Sequence, residues 1–255
     1  TGRETAGEID DFIENRYETN VIRPSYVMLL GDAEYITPFL AARMNTAFGS
    51  TIGTDWFYAE RSYPGQEFPT LVPTFAVGRI PVDTLQQAND VVDKIIDYEK
   101  TPPGTIATDA FYNRVTLASQ FQCCRTSTSS EGVAQRTFAE VSEFVRAELV
   151  SQGYQVDRLY EQTNDGSYTG DTTPRRYYDG TPLPAAIGPG SVFSWNADTN
   201  DVLNAWNQGR FLILHRDHGW SGGWSHPTLN WNHVPSMLSN GDWQPVVFSI
   251  NCTSG

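Results

Sequence analysis

The chain has 255 residues, 39% of them hydrophobic, and a formal charge of −13 from 17 Lys and Arg against 30 Asp and Glu. That apolar fraction is enough for a sizeable core, in one large domain or two packed halves, and excludes a disordered chain. A pI near 4.6, with no basic cluster long enough to follow a phosphate backbone, is the wrong charge for nucleic acid, and no apolar run approaches the ~20 residues of a membrane span. No signal peptide is visible, and since Thr1 is not Met a leader is expected to have been removed or to lie outside this sequence.

From the start, Ile9, Phe12, Ile13 and Tyr17 fall at helical spacing within Glu8 to Glu18, which predicts a helix packed on a sheet. Tyr26-Val27-Met28-Leu29-Leu30 predicts a buried strand ending at Gly31-Asp32. Thr37 to Pro73 reads as loop-rich, with Asp55-Trp56-Phe57-Tyr58 its one concentrated piece. Phe75 to Ile80 is strand-like and stops at Pro81. Asp83 then serves as an N-cap with Gln86 three residues on, and Leu85, Ala88, Val91, Val92, Ile95 and Ile96 keep one helical face to about Glu99. Thr101-Pro102-Pro103-Gly104 breaks both helix and strand, and divides the chain into subdomains at residues 1–104 and 105–255.

After that boundary, Arg114 to Ser119 predicts a strand and Gln120 to Ser130 a polar loop. A long helix carries Val133, Phe138, Val141, Phe144, Val145 and Leu149 and ends at Gly153. Val156 to Tyr160 is a short strand, and Asn164 to Gly190 a long excursion of the kind that forms lids or stays disordered. Short helices at Asn200 to Gln208 and Val234 to Ser239 precede two apolar strands. Strands separated by helices in this order predict an α/β fold with mainly parallel sheets covered by helices on both faces.

Those last two strands carry the chemistry. Phe211-Leu212-Ile213-Leu214 runs into His215-Arg216-Asp217-His218-Gly219, and Pro245 to Ile250 runs into Asn251-Cys252. In open α/β sheets the carboxyl ends of strands are where ligands bind. Three cysteines, Cys123, Cys124 and Cys252, leave at least one thiol unpaired within the chain. A thiol at Cys252, an imidazole at His218 and backbone N–H groups of Gly219 and Cys252 as oxyanion donors are the parts that acyl transfer through sulfur requires. Two other readings stay open. A free cysteine often serves only as a small buried hydrophobe. His215, Asp217, His218, His226, His233 and Cys252 are also potential metal ligands, as in a zinc hydrolase, although neither Cys-x-x-Cys nor His-Glu-x-x-His spacing occurs. Trp220, Trp224 and Trp231 among them read as walls of a cleft.

The strand into His-Gly followed by a strand into a small polar residue and Cys resembles the caspase-like cysteine peptidases, and in detail the gingipain family. Tyr26 to Asp32, the Asp55 segment, Val77-Gly78-Arg79-Ile80-Pro81-Val82 leading to Asp97-Tyr98-Glu99, and Gly153-Tyr154 match that family's pattern in order, over nearly the whole chain. The resemblance implies a caspase-like three-layer fold of two subdomains, with Cys252 as nucleophile and His218 as general base and acid. It also implies a secreted or cell-surface endopeptidase acting on proteins or peptides, structural calcium, and no cofactor for catalysis. Asp217 stands where the family has glycine, and Gln120 near where a family acidic residue approaches the histidine, so Asp217 is the acidic candidate for orienting His218. The family's acidic specificity residue falls roughly on Glu131, implying cleavage after Arg or Lys; a first-turn helix role for Glu131 is the structural alternative. The family's catalytic unit extends beyond the equivalents of Thr1 and Gly255, so the chain is expected to be part of a longer, multidomain protein, and a non-catalytic binding or sorting module remains a further alternative.

Overall fold

A computed structural model describes residues 5–42, 51–60, 72–105, 109–124, 131–164, 166 and 168–252. The chain divides into two compact units, Thr1–Thr101 and Pro102–Gly255.

In the first unit, helix α1 (Ala6–Thr19) opens on a capping box in which Thr5 accepts from the Glu8 N–H and the Glu8 carboxylate accepts from the Thr5 N–H. Both donors would otherwise lack partners. Strand β1 (Tyr26–Leu30) follows. Strands β2 (Phe39–Ala42) and β3 (Thr51–Thr54) pair antiparallel within the stretch expected to be loop. Phe39 accounts for the difference, because it packs edge-on against the buried Tyr58 with ring centroids 5.0 Å apart. Strand β4 (Ala76–Ile80) lies parallel to β1. Ile13, Leu29, Tyr58 and Phe75 form the buried centre of this unit. Arg79 donates Nε to Asp55 Oδ2 at 2.7 Å and Nη2 to Asp55 Oδ1 at 2.6 Å, a mostly buried fork. Removing one partner of such a pair costs about 3–5 kcal/mol through the charge left behind. Helix α2 (Leu85–Lys100) is capped by Thr84 with Gln87, one residue later than Asp83 with Gln86, and none of its residues is buried.

The second unit contains β5 (Arg114–Gln122), α3 (Phe138–Ser151), β6 (Gln155–Thr163), α4 (Thr199–Asn207), β7 (Leu212–Arg216), β8 (Gly219–Trp220), β9 (Gly223–Trp224), β10 (Leu229–Asn230), α5 (Val234–Met237) and β11 (Val246–Ile250). Its main sheet is parallel throughout, in the order β11-β7-β5-β6. Side chains alternate across the sheet. Val115, Leu117 and Leu214 face Val145 and Leu149 of α3, whereas Ala118 and Ile213 face Val202 and Leu203 of α4. The expected α/β fold, a parallel sheet with helices on both faces, is the one observed. Glu143 of α3 accepts from Arg158 at 2.6 and 2.8 Å and from the Tyr160 hydroxyl at 2.8 Å, which fixes the helix to β6.

Two expectations are corrected here, and one element is new. Strand β5 continues through Gln120 and Gln122, where a polar loop was expected, because β6 pairs with it to Gln122↔Thr163. Helix α3 begins at Phe138, leaving Val133 outside it. The backbone N–H groups of Ala134 and Gln135 are already bonded to the carbonyls of Arg176 and Gln122, at 3.0 and 2.8 Å, so this segment follows its neighbours and not a helix. Beyond His218 lies a small antiparallel sheet, β10-β9-β8, whose two-residue strands leave no periodic signal in the sequence.

Candidate active site

All four strands of the main sheet point their carboxyl ends the same way, so Gln122, Thr163 and the exits of β7 and β11 share one edge. The β7–β11 register ends at Arg216↔Ile250. His218 and Cys252 are each two residues past that pair, so both leave the sheet at the same edge. The exits touch through backbone: a Cβ placed on Gly219 would lie 2.6 Å from the Cys252 carbonyl oxygen and 2.7 Å from Asn251 Cγ and Oδ1. Only glycine allows this approach. Cys252 is exposed and is a free thiol, while Cys123 and Cys124 form a buried vicinal disulfide.

The half-buried His218 ring has Nε2 3.0 Å from Gln122 Oε1. An amide oxygen only accepts, so Nε2 carries the proton and Nδ1 is the basic nitrogen. The edge-to-face ring of Phe138 lies 5.0 Å away, and Arg216 covers Phe138 at 4.8 Å. Burial, followed by the positive charges of Arg136, His226 and Arg216, holds the His218 pKa below the usual imidazole value. Gln122→Glu sets a carboxylate against Nε2 and should raise that pKa, so the His218 ring signals titrate at higher pH by NMR. A downward or absent shift would show that position 122 does not face the ring.

Asp217 does not orient this imidazole. Successive residues of an extended chain point to opposite sides, and the buried Asp217 carboxylate instead accepts the His226 N–H at 2.6 Å and lies 3.9 Å from His215 Nε2. Burial pushes its pKa up to about 7. Gln122 takes the place proposed for an acid. Its trace in the sequence is the alternation Thr116, Ala118, Gln120, Gln122, which continues strand spacing past Ser119.

Beside His218 opens a cleft of about 560 Å³, lined among others by Gln120, Gln122, Thr163, Asn164 and His226. His226 Nδ1 is 3.1 Å from Glu161 Oε1, and this contact raises the His226 pKa. Glu131 is not among the lining residues. It is exposed, accepts the Asp171 N–H at 3.4 Å, and precedes the first residue of α3 by seven positions, which removes the helix-terminus role. Trp224 is buried, whereas Trp220 and Trp231 are exposed, and none of the three lines the cleft. Among the described residues no group of three His, Cys, Asp or Glu side chains is placed to hold a metal ion.

A parallel α/β sheet carrying His-Gly and Cys on neighbouring strand exits defines the class, and the whole chain, residues 1–255, matches the model of Peptidase family C25. The chain belongs to that family, the gingipain family. The crystal structure of the Arg-specific cysteine proteinase gingipain R superposes with a TM-score of 0.66 at 17% identity, covering 98% of this chain and 46% of that one. A complex of Porphyromonas gingivalis RgpB pro- and mature domains gives 0.64 at 18% identity, covering 97% and 46%. An uncharacterized protein of Archaeoglobus fulgidus is 39% identical over 77 residues, 30% of this chain and 17% of its own length. The chain thus spans less than half the length of the gingipain structures it matches.

Proposed function

We propose that this chain contributes the catalytic dyad of a cysteine endopeptidase, with Cys252 as nucleophile and His218 as general base and acid. The observation that carries the reading is the close approach of Gly219 to the Cys252 carbonyl, beyond the exits of neighbouring parallel strands, in a member of Peptidase family C25. The Cys252 thiol gives its proton to His218 Nδ1 as sulfur attacks the scissile carbonyl. The oxyanion is received by the N–H groups of Gly219 and Cys252. His218 then protonates the departing amine, leaving a thioester. Water attacks that thioester, losing a proton to Nδ1, and the acid and free thiol are released. Gln122 keeps the ring in the Nε2–H form throughout.

Substrates are proteins or peptides. A preference for Arg, and by the same charge for Lys, before the cleaved bond, recognised by Glu131, is proposed by analogy with the Arg-specific cysteine proteinase gingipain R. The whole protein is longer than this chain and secreted or cell-surface; family membership and the Cys123–Cys124 disulfide, a bond of oxidising compartments, support this. Among the described residues no helix is long and apolar enough to cross a membrane.

The test is labelling of the full-length protein with peptidyl electrophiles bearing either Arg or a neutral residue, followed by mapping of the modified cysteine. Cys252 should react with the peptidyl reagents far faster than with a small alkylating agent lacking a peptide, and Glu131→Gln should slow the Arg reagent more than the neutral one. No peptide-dependent acceleration at Cys252 removes the nucleophile assignment. Equal slowing of both reagents removes Glu131 alone.

A further inference from the structure

We propose that Asn251 and His215 are positioning residues for the Cys252 nucleophile, an inference that rests on the Cys252/His218 reading. His215 is fully buried, and its ring is stacked on Trp224 with centroids 4.2 Å apart and planes 3° from parallel. Asn251 Nδ2 lies 2.9 Å from His215 Nδ1 and donates to Ser249 Oγ at 3.0 Å. Ser249 Oγ also accepts from Trp224 Nε1 at 2.8 Å. The far side of the same amide abuts Gly219, where an added Cβ would be 2.7 Å from Asn251 Cγ and Oδ1. The residue directly before Cys252 is therefore clamped between a buried imidazole and the glycine that follows His218.

The tautomer of His215 follows from its neighbours. Asn251 Nδ2 can only donate, so His215 Nδ1 accepts from it and the ring proton sits on Nε2, which faces Asp217 at 3.9 Å without a hydrogen bond. Burial holds the His215 pKa down to about 3, so the ring stays neutral through neutral pH. The charged groups around it are Asp217, Arg216 and His226, the last bonded to Glu161. A neutral ring locked by stacking is a fixed acceptor. It sets the plane of the Asn251 amide and, through it, the turn that presents Cys252. In this class of chemistry a displacement of about 1 Å costs on the order of 10²-fold in rate.

Asn251→Asp separates positioning from simple packing. Aspartate has no N–H to offer, so its carboxylate meets the Nδ1 lone pair and is repelled unless His215 takes a second proton there. In the full-length protein, Asn251→Asp should lose about 10²-fold in kcat at neutral pH with KM nearly unchanged, and recover part of that loss as pH falls. Asn251→Ala should lose a similar factor with no recovery. Nitrogen-15 NMR of the parent should show His215 protonated on Nε2 alone, and in Asn251→Asp a proton should appear on Nδ1 over the pH range of the recovery. An active parent with its His215 proton on Nδ1, or an Asn251→Ala protein with undiminished kcat, overturns the positioning role and leaves the dyad intact. A parent that hydrolyses no peptide yet shows the Nε2 tautomer overturns the peptidase reading, and the positioning role with it.

Discussion

Cys252→Ala is expected to abolish peptide hydrolysis by the full-length protein, and His218→Ala to lower kcat/KM by about 10²–10⁴-fold, the range for general acid–base groups. The two losses differ because the roles differ. Without sulfur no thioester forms, whereas without the imidazole the thiol still ionises in part and attacks slowly. Both side chains lie beyond their strands and neither is buried, so thermal unfolding should change little in either variant. Steady-state kinetics on one peptide, with Tm measured alongside, decides the matter. Turnover surviving in Cys252→Ala would remove the dyad.

Gly219→Ala is expected to cost about 10²-fold or more in kcat/KM. The new methyl group meets the Cys252 carbonyl oxygen at 2.6 Å and Asn251 Cγ and Oδ1 at 2.7 Å. The closest of these is a backbone atom, so relief comes only from parting the two strand exits, which separates imidazole from thiol. Overpacking of this kind typically costs 1–3 kcal/mol of stability as well. Gly78→Ala is the control, since a Cβ there meets nothing within 4 Å. Rates from the two variants at equal protein concentration check the expectation, and an active Gly219→Ala protein would show that the exits need not touch.

What the sequence made legible divides along physical lines. The exits of β7 and β11 stood out because each strand is a short apolar run, and its end is marked by the first polar residues after it. Helices α1 and α2 were visible for a similar reason, as 3.6-residue spacing acts within one element, although the cap of α2 lies one residue later than expected. Gln122 was hidden because its place in a strand depends on pairing with Thr163, some forty residues later. Asp217 was misassigned because adjacency in sequence was taken for adjacency of side chains, and an extended backbone separates them. The start of α3 was placed too early because the apolar spacing through Val133 is real, while the hydrogen bonds that hold Ala134 and Gln135 come from distant carbonyls. Local patterns thus delivered the two groups proposed to react, and the non-local ladder supplied Gln122, which contacts one of them.

Strand β11 hydrogen-bonds to β7, has no second strand partner among the described residues, and all five of its residues are exposed, with Phe248 and Ile250 each 49% accessible. The thiol is therefore mounted on the most weakly anchored strand of the main sheet, where local opening requires breaking a single ladder and uncovering little further apolar surface. Any protein surface that covers β11 would suppress that opening, so occupancy of this edge and the closed state of the strand that carries Cys252 are thermodynamically linked, each favouring the other.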